Sequence, residues 1–172
     1  MSAMPANAAA APMAASPALS AQQTAEAVRD RMLVNDRATR ACGMRVTAVG
    51  PGTATLAMTV RNDMLNGFDT CHGGFITLLA DSAFAFACNS ANEQTVAAGL
   101  SIDFMAPARE GDELTAVAAE VTLAGRAGFY DVQVRNQRGE CIAVMRGRSH
   151  RFAGKPVVET TPLVAAPHGG TP

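Results

Sequence analysis

Alternation of apolar and polar residues is the clearest pattern in the chain, and it predicts six β-strands. The expected strands cover Met44 to Val49, Thr53 to Val60, Val96 to Met105, Asp112 to Leu123, Phe129 to Asn136 and Cys141 to Phe152. Turn sequences such as Pro51-Gly52 separate neighbouring runs, and short turns favour antiparallel pairing. The side chains expected on the apolar side of the last two strands are Tyr130, Val132, Val134, Ile142 and Val144.

One long stretch does not alternate. From Phe75 to Cys88, Asp81 is the only charged residue. The run is too long for an ordinary strand, and a helix that is apolar nearly all round must be buried. A shorter helix from Thr24 to Leu33, capped by Thr24, is predicted ahead of the first strand. Because one buried helix needs a curved sheet to cover its faces, we expect an α+β fold in which an antiparallel sheet wraps around a long central helix.

The two ends of the chain lack these patterns. Residues 1–23 are mostly alanine, proline and serine, and residues 153–172 are rich in proline and glycine. We interpret both ends as disordered tails and residues 24–152 as one domain. The first segment lacks the basic start of a secretion signal, so a signal peptide is the less favoured alternative and we expect a cytoplasmic protein.

The composition argues against several classes of function. Charged residues make up 17% of the chain and hydrophobic residues 48%, which excludes wholesale disorder. The net charge is −1, tryptophan is absent and tyrosine occurs once, so the chain has no basic field and little stacking surface for nucleic acid. No apolar run reaches the ~18 residues of a membrane span. We therefore expect neither nucleic acid nor a membrane as a partner.

The four cysteines do not form a recognisable metal site. Cys42, Cys71, Cys88 and Cys141 include no C-x-x-C pair, and their spacing fits no zinc motif. We expect free thiols and no bound metal. Cys71 lies beside His72, but adjacency in sequence does not make a nucleophile and base, since such partners meet through the fold.

Asp81 and the His72-Gly73-Gly74 motif are the two candidate features for chemistry. A lone carboxylate in an apolar helix costs several kcal/mol unless it is paired, hydrogen-bonded or protonated. Its functional interpretation is a general base or nucleophile, and the alternative is an aspartate that bonds backbone or emerges at a polar seam. The glycines begin the helix, where N–H groups lack partners and the helix dipole is positive, so a developing oxyanion would be stabilised there. The alternative is a plain loop-to-helix junction capped by His72.

The spacing of the two features has a consequence for assembly. Gly73 and Asp81 are eight residues apart, which is ~12 Å along one helix axis. That is too far for one carboxylate to act on a carbonyl held at Gly73 of the same chain. If the two work together, a second subunit supplies the other half, and we expect a homodimer with the active site at its interface.

Three separated motifs, in the same order, resemble the hotdog-fold acyl-CoA thioesterases, and most of all the branch that acts in phenylacetic acid degradation. They are MLNGFDTCHGGFITLLADSAFAFACN, VAAGLSIDFMAPAREGDEL and RGRSHR, within Asn35 to Phe152. The resemblance implies the hotdog fold, hydrolysis of aryl-acetyl-CoA esters such as phenylacetyl- or hydroxyphenylacetyl-CoA, and neither metal nor other cofactor. It also implies a tetramer built from two dimers.

The resemblance assigns roles to individual residues. The Gly73 N–H would polarise the thioester carbonyl, and Asp81 would activate water or attack that carbonyl across the dimer interface. Asn66 would orient the water or the thioester. Ser82 follows the acid as the family's serine or threonine does, and His72 would shape the loop. A strand residue that assists the water would fall near Ser101.

Other residues are candidates for binding substrate. Arg146, Arg148 and His150 share one face of the last strand and could contact the phosphates of CoA, although a solvated basic face is the alternative. Gly74 and Phe75 begin the helix beside the expected carbonyl site. Phe68, Phe75, Leu79 and Phe84 are candidates for the acyl pocket, and each could equally be core.

Two other functions remain open at the level of sequence. Some hotdog proteins are acyl-CoA dehydratases or hydratases, but the hydratase pattern D-x-N-x-x-H is absent here. A non-catalytic acyl-CoA-binding protein is the other alternative, because a fold alone does not fix a function. Both the acid and the glycine pair are present, which favours the thioesterase.

Overall fold

A computed structural model describes residues 19–159, which form a single sheet packed on one long helix. The helices are α1 (Ala21–Asn35), α2 (Arg37–Ala41) and α3 (Gly73–Asn89), with a 3₁₀ turn at Asn62–Met64. The strands are β1 (Arg45–Gly50), β2 (Thr53–Thr59), β3 (Thr95–Phe104), β4 (Glu113–Ala124), β5 (Ala127–Arg135) and β6 (Cys141–Arg151). Every neighbouring pair is antiparallel, in the order β1-β2-β4-β5-β6-β3. The predicted α+β architecture is confirmed.

Helix α3 supplies the centre of the core. Leu79, Ala80, Ala83 and Phe84 are buried along it. The ring of Phe84 lies 5.3 Å from the ring of Tyr130, centroid to centroid. A Cβ added at Gly147 would come within 2.9 Å of the Phe84 ring, so the sheet approaches the helix closely there. Burial of such a side chain contributes about 2–3 kcal/mol, which explains why the apolar helix and the apolar side of the strands find each other.

Helix α1 begins before the position that the sequence predicted. Its N-cap is Ser20, not Thr24. The Ser20 hydroxyl accepts a hydrogen bond from the Gln23 N–H at 3.2 Å, and the Ser20 N–H donates to Gln23 Oε1 at 2.9 Å. This reciprocal capping box satisfies two N–H groups that a cap at Thr24 would leave without partners. The domain boundary predicted at residue 24 therefore falls inside the helix.

The predicted face of Val144 is wrong. Ile142 is buried as expected, but Val144 is half-buried on the opposite side, and Ala143 and Met145 face the core instead. The register between β5 and β6 shifts near Arg135, where Val134 pairs with Ala143 and Arg135 with Cys141. Such an irregularity reverses the alternation along a strand, so simple period-two counting fails there.

The start of the predicted C-terminal tail is attached to the domain. The Asn92 carboxamide oxygen accepts hydrogen bonds from the N–H groups of Val157 and Val158, at 3.0 and 2.9 Å. The Gln94 N–H donates to the Lys155 carbonyl at 2.7 Å. The remaining parts of both predicted tails, residues 1–18 and 160–172, lie outside the described residues. Within residues 19–159, no helix is long and apolar enough to cross a membrane.

Candidate active site

The first turn of α3 leaves one backbone donor without a partner. His72 is the N-cap, and its Nδ1 accepts a hydrogen bond from the Gly74 N–H at 2.9 Å. The Phe75 N–H donates to the His72 carbonyl at 2.9 Å. The Gly73 N–H has no hydrogen-bond acceptor among residues 19–159. This donor lies at the positive end of the helix dipole, where negative charge is stabilised.

A side chain at Gly73 would meet the ring of Phe104. A Cβ at this position would lie 2.9 Å from Cζ of Phe104 and 3.3 Å from its two Cε atoms. A contact of 2.9 Å requires the tip of the Phe104 ring, which is 52% exposed, to shift. The backbone of Gly73 is not in the left-handed region, so conformational freedom is not the reason for the glycine.

A cavity of about 560 Å³ opens beside this donor. Its walls combine the loop before α3, the first turn of the helix and the end of β3. Its lining includes Asn66, Phe68, His72, Gly73, Phe104 and Met105. The structure therefore brings three predicted site residues together, namely Asn66, His72 and Gly73.

Asn66 builds the loop that carries His72. Its carboxamide oxygen accepts hydrogen bonds from the N–H of Phe68 at 2.9 Å and from the N–H of Thr70 at 3.4 Å. Its Nδ2 donates to the Thr70 hydroxyl at 2.9 Å. One N–H of the carboxamide is left over, because an asparagine has two to donate.

Asp81 is separated from this cavity. Its carboxylate is half-buried on α3, and Oδ1 is buried without a hydrogen-bond partner. Burial raises the pKa of Asp81 above the usual value for an aspartate. No salt bridge to Asp81 occurs in the part of the chain that the structure describes. An orphaned, desolvated carboxylate is typical of a functional group whose partner comes from outside its own site.

One face of α3 is not covered by its own sheet. The residues with partial or full exposure are Gly73, Gly74, Phe75, Thr77, Leu78, Asp81, Ser82 and Ala85. Several are spaced three or four apart and so share one side of the helix. The helix is thus buried on most of its surface but not all round. Asp81 and Ser82 both lie in this uncovered region.

The predicted CoA contacts lie on a different surface. Ser101 pairs with Arg146 in the sheet, and both line a shallow cavity with Arg148. The Arg146 guanidinium donates to both carboxylate oxygens of Asp131, at 2.7 and 2.8 Å, and lowers the pKa of that carboxyl. Arg148 has no carboxylate partner within residues 19–159. Ser101, Arg146 and Arg148 therefore lie together, but none of them lines the cavity beside Gly73.

Some apolar residues predicted for the acyl pocket belong to the core, and two residues that line the cavity were not predicted. Leu79 and Phe84 are fully buried, whereas Phe75 is half-buried on α3. Phe68 lines the cavity, as do Phe104 and Met105, which the sequence analysis did not select. The sequence does carry a sign of them, because two large apolar residues follow each other at the end of a strand. Successive side chains of a strand point to opposite faces, so the core can bury only one of the two.

Cys71 and Cys88 are not suited to act as nucleophiles in this fold. All four are free, and Cys71 and Cys88 are buried. Burial raises the pKa of Cys71 to about 11 and that of Cys88 to about 12, so both thiols are protonated at neutral pH. Within residues 19–159, no group of three histidine, cysteine or acidic side chains could hold a metal ion.

Comparison with known proteins identifies the family. The profile of the thioesterase superfamily matches residues 68–143. Acyl-coenzyme A thioesterase PaaI of Escherichia coli is 42% identical over 123 residues, which cover 72% of this chain and 88% of that protein. The human protein named acyl-coenzyme A thioesterase 13 is 27% identical, over 61% of this chain and 77% of its own length.

Solved structures agree with this assignment. The structure of the E. coli PaaI protein from the phenylacetic acid degradation operon matches with a TM-score of 0.77 and 40% identity, covering 79% of this chain and 99% of that one. A mutant of the phenylacetic acid degradation protein PaaI from Thermus thermophilus matches with a TM-score of 0.66 and 38% identity, covering 68% and 100%. The chain belongs to the thioesterase superfamily and has the hotdog fold. Within that superfamily, its similarity extends to the PaaI proteins of phenylacetic acid degradation.

Proposed function

We propose that the protein is an acyl-CoA thioesterase that hydrolyses aryl-acetyl-CoA esters to the free acid and CoA. The observation that carries the proposal is the unpartnered Gly73 N–H at the start of α3, beside an open cavity. Hydrolysis of an acyl-CoA ester agrees with the names of the relatives. The preference for an aryl-acetyl group is supported by the phenylacetic acid degradation proteins that share the fold.

The Gly73 N–H would bind the thioester oxygen as it gains negative charge. A donor of this kind contributes most in the transition state, because the charge develops there. The dipole of α3 acts in the same direction. The Phe104 ring lies where a side chain at residue 73 would begin.

Asp81 would supply the base or the nucleophile. In the first route its carboxylate takes a proton from water, and the resulting hydroxide adds to the carbonyl carbon and expels the CoA thiolate. In the second route the carboxylate itself adds to the carbon, CoA leaves as the thiolate, and water then cleaves the mixed anhydride. Both routes need an ionised Asp81 close to the carbonyl, and Asp81 lies about 12 Å along α3 from Gly73 of its own chain.

A second copy of the chain would bring its own Asp81 close to the Gly73 of the first. β3 forms one edge of the sheet, and its exposed apolar residues include Val96 and Leu100. The uncovered region of α3 is apolar apart from Asp81 and two hydroxyl groups. An open edge strand and an uncovered helix face are surfaces that proteins usually cover. We therefore propose a homodimer with the active site at its interface, and a tetramer of two such dimers.

The neighbouring residues would position substrate and water. Asn66 retains one N–H for a ligand, while its oxygen holds the loop. The Nδ1 of His72 is occupied by the Gly74 N–H, which favours a positioning role over proton transfer. Ser82 follows Asp81 in the uncovered region of the helix, and Gly74 and Phe75 continue the first turn.

The CoA end would meet cationic groups on β6. Arg148 is the better candidate for a phosphate, because Arg146 already holds Asp131. Ser101 lies in the same shallow cavity and would add a hydroxyl. The free state of all four cysteines supports a reducing compartment, and we propose the cytoplasm.

The direct test is release of free CoA, followed with a thiol reagent. Phenylacetyl-CoA, hydroxyphenylacetyl-CoA, benzoyl-CoA and straight-chain acyl-CoAs would be compared. We expect turnover of the aryl-acetyl esters at the highest kcat/KM and loss of most of kcat in Asp81→Asn. Asp30→Asn removes an exposed carboxylate of α1 and serves as the matched control. Absence of turnover on every thioester by a folded protein would contradict the proposal, and tight binding without turnover would identify a binding protein instead.

A further inference from the structure

Three large apolar side chains stand exposed around the cavity beside Gly73. Phe68 is 87% exposed, Met105 63% and Phe104 52%. Single exposed apolar residues are common on proteins, but a cluster around one concave site indicates a binding surface. The catalytic steps described above use none of these side chains to hold the substrate.

Phe104 has the most defined position of the three. The atoms of its ring closest to Gly73 are Cζ and the two Cε atoms, so the tip of the ring points at the glycine. Its backbone pairs with Ala143 of β6, and the next residue, Met105, donates its N–H to the Ile142 carbonyl at 2.9 Å. The sheet therefore holds the backbone of Phe104, and its ring forms a wall next to the proposed oxyanion donor.

We propose that Phe104 is a specificity-determining residue whose ring contacts the aromatic part of the acyl group. This inference rests on the proposed thioesterase function and adds the residue that selects the substrate. In an aryl-acetyl thioester a single methylene separates the ring from the carbonyl carbon. When the carbonyl oxygen is bound at the Gly73 N–H, the aromatic ring of the substrate must lie close to Gly73, where Phe104 stands.

The chemistry of the wall suits an aromatic ligand better than a straight chain. Aromatic pairs in offset or edge-to-face contact gain about 0.5–1.5 kcal/mol beyond the area that they bury. Phe68 and Met105 extend the apolar surface around the same cavity. The competing occupant is the pantetheine arm of CoA, whose amides would need hydrogen-bonding partners.

The test compares two substrates on one variant. Phe104→Leu removes the ring but keeps an apolar side chain. We expect it to lower kcat/KM for phenylacetyl-CoA by about three- to tenfold and to change kcat/KM for hexanoyl-CoA by less than about twofold. Phe104→Tyr keeps the ring and is expected to keep the wild-type ratio of the two substrates.

Phe152→Leu is the matched control. Phe152 is also partly exposed and comes directly after β6. Its neighbour Arg151 pairs with Thr95, which is the first residue of β3, whereas Phe104 is the last. Thr95 and Phe104 are about 30 Å apart along the strand. We expect Phe152→Leu to leave both rates unchanged. Sedimentation and thermal melting of each variant verify that assembly and folding are intact.

Two results would overturn the inference in different ways. If Phe104→Leu lowers kcat/KM equally for both substrates and weakens inhibition by free CoA by the same factor, the cavity binds the pantetheine arm. If the wild-type protein hydrolyses neither substrate, the proposed function fails and this inference fails with it. Activity in the wild type with a selective loss in Phe104→Leu supports both.

Discussion

At the scale of single residues, the site depends on two groups that lack ordinary partners. The Gly73 N–H has no acceptor and Asp81 Oδ1 has no donor within residues 19–159. The N–H belongs to the first turn of a helix, where donors lack intrahelical partners, whereas the buried carboxylate oxygen costs stability and such groups cluster at functional sites. The sequence predicted both residues, because a charge in an apolar helix and a glycine pair at its start are visible without a structure.

The contact between Gly73 and Phe104 could not be predicted in the same way. The two residues come from different elements, and their meeting depends on where β3 ends relative to the first turn of α3. A glycine can be required for an unusual backbone conformation or for the close approach of another group, and the sequence alone does not distinguish the two. Only the fold shows that the ring of Phe104 fills the space of a side chain.

The raised pKa of Asp81 predicts a pH-dependent stability difference. The folded protein holds this proton more tightly than the unfolded chain, so ionisation of Asp81 destabilises the fold as the pH rises through the raised pKa. We therefore expect Asp81→Asn to be more stable than the wild type at neutral pH. The difference should shrink as the pH falls toward the ordinary aspartate pKa of about 3.9.

Urea unfolding of both proteins at a series of pH values measures this difference. Asp30→Asn again controls for the loss of a negative charge, since Asp30 is an exposed residue of α1. A wild type that equals or exceeds Asp81→Asn in stability at neutral pH would mean that the carboxylate finds a stabilising partner in the assembled protein.

At the scale of elements, the sequence predicted what depends on local periodicity. All six strands and the central helix begin and end within a few residues of their expected bounds. The errors have local physical causes. The register shift beside Arg135 turned Val144 away from the core, and the short helix α2, capped by Asp36, is too brief to show a periodic pattern.

The cap of α1 offers a test at this scale. Ser20→Ala removes the side-chain half of the capping box, and we expect a loss of about 1 kcal/mol in the free energy of unfolding. Thr24→Ala changes the residue that the sequence had suggested as the cap, and it should cost clearly less. Urea unfolding followed by circular dichroism measures both. A larger loss in Thr24→Ala would show that the helix begins later than α1 does here.

At the scale of the whole molecule, the proposed homodimer gives each chain half of two sites. The Gly73 cavity and the Asp81 carboxylate lie apart on α3, and the uncovered region of that helix holds the acid. Periodicity could not reveal this uncovered face, because an apolar residue at a subunit interface has the same sequence signature as one in the core. The eight-residue spacing between Gly73 and Asp81 did indicate it, since helix geometry fixes their separation.

The central claim is that Gly73 of one subunit works with Asp81 of another. Two variants test it when they are co-expressed with different tags and purified as mixed dimers. We expect Gly73→Ala to be inactive because its Cβ would meet the Phe104 ring and displace the N–H donor, and Asp81→Asn to be inactive because it lacks the carboxylate. In a mixed dimer one site carries both mutations and the other site carries neither. Each pure variant is checked by circular dichroism and sedimentation, so that loss of activity is not loss of fold.

Thiol release by the mixed dimer measures whether the two residues act across the subunit interface. We expect the purified mixed dimer to regain about half of the wild-type kcat per dimer, because one of its two sites is intact. A mixed dimer no more active than the two pure variants would contradict the account, and would place Gly73 and Asp81 of the same chain in one site.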